Sequence, residues 1–131
     1  TEQLTANCDK VSYNPPETDT FKFKGSTLHW DIDFAAGPQY YIQGLVYLND
    51  VPVNRGAFTL VPGFHKKTKD VLKDESPENA LAKIKETEEI KYLAGKKGDL
   101  IIWLQAIPHA ASANHSNLPR FVQYVSFLKQ G

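Results

Sequence analysis

The sequence predicts an all-β dominated domain of the sandwich or jelly-roll kind, and two observations predict it. Aromatic and β-branched residues gather in short runs, and Gly, Pro, Asn and Asp separate those runs at the points where a chain must reverse. Seven strands are expected, at residues 20–24, 27–34, 40–48, 57–61, 99–104, 107–112 and 120–128. Seven or eight strands suit a jelly roll.

The turns between them carry residues suited to tight or positive-φ conformations: Ala36-Gly37-Pro38, Asn54-Arg55-Gly56, Pro62-Gly63 and Lys97-Gly98-Asp99. One segment has helical grammar instead. Ser76-Pro77-Glu78 supplies an N-cap, a first-turn proline and an early acid, with Leu81 and Ile84 at helical spacing, so one inserted helix is expected over 77–92 with its Lys and Glu residues in solvent. In the run 41–47, alternation puts Tyr41, Gln43, Leu45 and Tyr47 on one face, which lines a cavity or forms an outer surface.

A chain of 131 residues with 41% hydrophobic content supports one core, so residues 1–131 are read as a single domain. Its start at Thr1 and lack of methionine leave open an N-terminal portion beyond this sequence. Lys+Arg and Asp+Glu balance at 15 each with no long run of either sign, which argues against nucleic acid or an anionic membrane as partner and for a small molecule. Cys8 is the only cysteine, so no intramolecular disulfide forms. No apolar run is long enough to span a bilayer and the first residues lack signal-peptide order, which leaves a cytoplasmic location as the default. Oligomeric state is not legible.

The chemistry concentrates in His29-Trp30-Asp31. Two residues apart in an extended run, the imidazole and carboxylate project to one face and can grip one ion. His109, after the apolar run 100–104, is the candidate third ligand. Two imidazoles and one carboxylate on one face hold a divalent metal while leaving positions open for a bidentate co-substrate and for O2, and zinc or manganese could take the same ligands as iron. Taken alone, a His-x-Asp pair is more often a hydrogen-bonded surface pair. Asp33 shares that face as a substitute ligand or a solvated acid. Arg120, opening the last strand, can pair bidentately with a carboxylate inside the barrel or lie at an edge in solvent.

Together, His29-Trp30-Asp31, the segment 56–65, the segment 98–103, His109 and the run from Asn114 to Arg120 resemble the phytanoyl-CoA dioxygenase family in order and spacing over residues 29–127. The resemblance implies a double-stranded β-helix (cupin-like), Fe(II), and 2-oxoglutarate converted to succinate and CO2 as a C–H bond is hydroxylated with O2. It implies His29, Asp31 and His109 as iron ligands, Arg120 as the partner of the far carboxylate of 2-oxoglutarate, and Gln43 and Ser112 as further co-substrate contacts. An intact Asp31 favours hydroxylation over halogenation, because related halogenases lack this carboxylate. Two positions depart from the pattern: Leu45 stands where relatives often have tryptophan, and Ala111 where they often have a small hydroxyl residue, with Ser112 next to it.

His65 is expected to organise its turn rather than bind metal, and His115 to lie on the surface. Lys66, Lys67 and Lys69 are read as a solvated loop, with attraction of an anionic substrate as the other possibility. Two further functions stay open: a cupin-like metal enzyme that does not use 2-oxoglutarate, and a non-catalytic jelly-roll binding module.

Overall fold

Seven strands and two helices follow one another in a computed structural model that describes residues 3–23, 26–32 and 42–129. The strands are β1 (Leu4–Asn14), β2 (Ile42–Tyr47), β3 (Phe58–Leu60), β4 (Lys91–Leu93), β5 (Leu100–Leu104), β6 (His109–Ala111) and β7 (Arg120–Lys129). The helices are α1 (Thr68–Asp74) and α2 (Pro77–Thr87), both between β3 and β4. One sheet runs β1-β7-β2-β5 and the other β4-β3-β6, with antiparallel pairing throughout. This is the expected β-dominated jelly roll.

The β2 face points inward: Gln43 lines a cleft, whereas the other described residues of the face are packed core. Leu45 and Tyr47 are fully buried, and they pack with Val51, Ala57, Phe58, Trp103 and Val122 as the main core. Tyr47 also ties the two sheets together: its hydroxyl donates to the Leu93 carbonyl at 2.7 Å and accepts from the Phe58 N–H at 3.0 Å. Burial pushes that hydroxyl's pKa up from its ordinary value. Tyr41 lies outside the described residues.

A second cluster joins Leu28, Trp30, Val61 and Phe64 to Ala80 and Ile84 of α2. The helix starts as its sequence dictates, with the Ser76 side chain accepting from the Asn79 N–H and Pro77 in the first turn.

Four differences from the expected elements have physical causes. α2 ends at Thr87, and 91–93 becomes β4, because Phe58 and Leu60 of β3 provide pairing partners that local helical propensity cannot foresee. α1 is additional; seven residues carry too little periodicity to declare it, and it is held from outside by the Thr68 hydroxyl, which donates to the Ala106 carbonyl at 2.7 Å. The described part of 20–24 is not strand, and in 27–32 only His29 makes a bridge. β1 was not foreseen: its outer residues Leu4, Val11 and Tyr13 are exposed, and no alternating apolar face marks it. The expected turn at 36–38 and Asp33 lie outside the described residues.

Candidate metal centre

Trp30 orients the metal-binding pair. Its indole is buried in the second cluster and donates to the Ala106 carbonyl at 3.1 Å, so in this extended segment His29 and Asp31 point the opposite way, into a cleft. His29 is also bonded to His109 through an isolated antiparallel bridge, which brings together residues 80 positions apart in sequence. One donor atom from each of His29, Asp31 and His109 then lies within 4.8 Å of the other two.

The ring orientations follow from the backbone. His29 Nδ1 is 2.7 Å from the Thr27 carbonyl and His109 Nδ1 is 2.9 Å from that of Ile107. A carbonyl can only accept, so each Nδ1 carries the proton and each Nε2 is left to face Asp31, at 3.4 Å for His29 and 3.0 Å for His109. Two imidazole lone pairs aimed at a carboxylate repel it unless a proton or a cation lies between them. The donor set therefore fits a divalent metal ion. The His29 pKa is raised, chiefly by its hydrogen bond to Asp31. Hydrogen bonds from His109 and then His29 hold the Asp31 carboxyl far below the usual carboxylate range.

Asp31 is further held by two chains of hydrogen bonds. Gln43 Nε2 donates to Asp31 Oδ2 at 2.7 Å, and Trp103 Nε1 donates to Gln43 Oε1 at 2.9 Å. The indole can only donate, so it fixes which end of the Gln43 amide meets the carboxylate. Gln105 Nε2 donates to the Asp31 carbonyl. The triad stays open on one side, since the His109 side chain is 5% exposed but those of His29 and Asp31 are 36% and 41% exposed.

The cleft holds about 780 Å³, and Ser12, Asn14, Phe58, Arg120 and Tyr124 share its lining with the triad. Arg120 is buried, not at an edge in solvent. Nη1 donates to the Gly56 carbonyl at 2.7 Å and Nη2 reaches Ser12 Oγ at 3.4 Å, while Nε is buried without a partner. Among the described residues no carboxylate pairs with it. A buried guanidinium facing a cleft with an unused donor fits a ligand carboxylate.

Ser112 is placed otherwise than expected. Its hydroxyl donates to the Ala57 carbonyl at 2.7 Å and it does not line the cleft, whereas Ala111 does. Strand alternation explains this, since His109 and Ala111 share a face and Ser112 does not. His65 lies in a short 3₁₀ turn at Phe64–Lys66, outside the triad, and His115 is exposed with Nδ1 3.5 Å from Glu17 Oε2. None of Lys66, Lys67 and Lys69 reaches the cleft, and Lys67 pairs with Glu88 at 3.1 Å. Sequence reasoning missed Trp103 as Asp31's indirect support, and missed the cleft-facing side of β1. Trp103 could have been found from its place in the strand that pairs with Gln43.

Comparison with known proteins agrees with this geometry. The family model for phytanoyl-CoA dioxygenase (PhyH) matches residues 8–122. A Dictyostelium discoideum protein whose name places it in the same family is 27% identical over 93 residues, covering 66% of this chain and 27% of that protein. Among solved structures, EvdMO1 superposes with a TM-score of 0.74 at 17% identity, covering 98% of this chain and 28% of its own. The epimerase SnoN, solved with Fe3+, α-ketoglutarate and nogalamycin RO, gives 0.64 at 23% identity, over 90% of this chain and 47% of its own. The chain thus spans between about a quarter and a half of the length of these relatives. With a family model covering most of its length and the family's fold around a His-Asp-His cluster, this chain belongs to the phytanoyl-CoA dioxygenase family.

Proposed function

We propose that this chain forms the catalytic core of an Fe(II)- and 2-oxoglutarate-dependent oxygenase. It hydroxylates a C–H bond of a small organic substrate while 2-oxoglutarate and O2 become succinate and CO2. One observation carries the reading: the cleft walled by three converging metal donors also contains a buried arginine that, among the described residues, has no carboxylate partner. A metal centre alone is compatible with many reactions. The guanidinium, with Nε still unused, adds a place for a carboxylate ligand in the same cavity, which supports a dicarboxylate co-substrate such as 2-oxoglutarate.

His29 and His109 would hold iron through Nε2 and Asp31 through its carboxylate, while Arg120 binds the far carboxylate of 2-oxoglutarate. Iron there supplies the dioxygen chemistry that side chains lack. The protein's part is placement. Gln43 and Trp103 hold Asp31 by hydrogen bonds, and Phe58, Trp103 and Tyr124 give the cleft aromatic walls. Asp31 supports hydroxylation, because it fills the position that a halide would otherwise need.

Anaerobic addition of Fe(II) and 2-oxoglutarate is the test. A visible charge-transfer band is expected in the parent protein and absent from Asp31→Ala. No band in the parent would overturn the reading.

A further inference from the structure

We infer that Ser12, on β1, is a second anchor for the far carboxylate of the 2-oxo acid, acting beside Arg120. The inference rests on the oxygenase reading above and extends it to a strand that no sequence signal connected with the site.

The argument begins with the edges of the Arg120 guanidinium. Nη1 is engaged by the Gly56 carbonyl at 2.7 Å, which fixes the plane of the group. The Nε and Nη2 edge remains, with Nε buried and unpartnered. A carboxylate prefers such an edge, because two parallel N–H donors match its two oxygens. Ser12 Oγ lies 3.4 Å from Nη2, the second nitrogen of that edge.

The hydroxyl accepts from Nη2, and among the described residues its own proton goes to no acceptor. It can therefore donate to the carboxylate oxygen that Nη2 also binds. A neutral hydroxyl adds this third donor with no further buried charge.

The backbone explains why Ser12 faces this way. Opposite Tyr124 of β7, β1 carries two residues, Asp9 and Lys10, where one would fit, since the register runs from Cys8↔Val125 directly to Val11↔Gln123. Such a bulge shifts the alternation by one residue. After it, Ser12 and Asn14 share a face; both line the cleft, as does Tyr13 between them, and Asn14 pairs with Arg120 itself. The bulge thereby puts Ser12 on the parity that reaches the arginine.

Two other serines at or beside the cleft are already hydrogen-bonded. Ser112 donates to Ala57, and Ser26, though in the cleft wall, accepts from the Ala111 N–H at 2.7 Å. Among the described residues, Ser12 is the only side-chain hydroxyl within hydrogen-bond distance of the Arg120 guanidinium.

The test compares 2-oxoglutarate with pyruvate, a 2-oxo acid without the far carboxylate, by calorimetric titration into the Zn(II)-loaded protein. Ser12→Ala should weaken 2-oxoglutarate about tenfold and leave pyruvate unchanged, while Ser12→Thr, which keeps the hydroxyl, binds both as the parent does. Equal 2-oxoglutarate affinity in Ser12→Ala and parent would overturn the inference. So would equal loss of both ligands in Ser12→Ala, or a Ser12→Thr protein as weak as Ser12→Ala. If the parent binds no 2-oxoglutarate at all, the oxygenase reading itself fails, which is a separate result. Binding by the parent that is lost in Arg120→Ala but kept in Ser12→Ala leaves that reading intact and removes Ser12 alone.

Discussion

His29 and His109 exchange both backbone hydrogen bonds across one isolated bridge, each N–H donating to the other's carbonyl at 3.0 Å. The distance between the two imidazoles is thus set by main-chain pairing rather than by side-chain packing alone, and their ring centroids lie 4.6 Å apart. A metal site built on such a bridge is largely organised before the ion arrives. Replacing one ring should remove binding without removing the bridge. His109→Ala is expected to lose stoichiometric Fe(II) or Zn(II) binding, read by competition with a chromophoric chelator, while circular dichroism still reports the β fold.

Gln43 touches Asp31 directly and Trp103 acts through Gln43. Gln43→Leu should lower metal affinity about 10- to 100-fold, the range seen when a partner of a ligating group is lost. Trp103→Phe should shift affinity the same way by less, because the amide loses only its orientation. The same chelator competition measures both, and unchanged affinity in Gln43→Leu would remove it from the metal site.

Arg120→Ala should weaken 2-oxoglutarate by about 3 to 5 kcal/mol, the usual cost of leaving a buried charge without its partner. Pyruvate, which lacks the far carboxylate, should bind as it does to the parent. Equal weakening of the two acids would assign Arg120 to the cleft's architecture instead.

Gly56 has φ +66°, and a Cβ there would lie 2.5 Å from Asn14 Nδ2. Its carbonyl also holds Arg120 Nη1. Gly56→Ala should lower stability by about 1 to 3 kcal/mol in urea unfolding, through left-handed backbone strain and the displaced Asn14. It should also weaken 2-oxoglutarate binding, which links fold and site at one residue.

Tyr47→Phe removes the hydroxyl that joins the sheets and leaves the buried Phe58 N–H without its acceptor. A loss of about 1 to 3 kcal/mol is expected in the same unfolding experiment.

In the metal-free protein the triad gives stability a pH dependence. Asp31 is depressed below its ordinary 3.8, so its contribution is complete above that value and is lost as pH falls through the folded pKa. His29 is raised above 6.5, so its contribution is complete below 6.5 and is lost as pH rises past the folded pKa. Both act together between 3.8 and 6.5. The melting temperature should decline as pH is taken from that window toward 8, and Asp31→Asn should flatten the decline. The change is small because both side chains remain partly open to water.

Features with a local cause are legible in the order of residues. The short aromatic and β-branched runs at β2 and β5 and the glycine turns at 56, 63 and 98 declared a β fold, and Ser76-Pro77 declared where α2 begins. The spacing of His29 to Asp31 also sufficed to put both side chains on one face, since an extended chain alternates with period two. Tertiary structure alone decided the rest. β4 exists because β3 pairs with it, although 91–93 follows a helix. β1 escaped notice because its inward residues line a polar cleft, and a strand facing a ligand cavity needs no apolar face. The meeting of His29 with His109 and the burial of Arg120 beside Ser12 depend on contacts between segments roughly 80 to 110 residues apart, which no local pattern encodes.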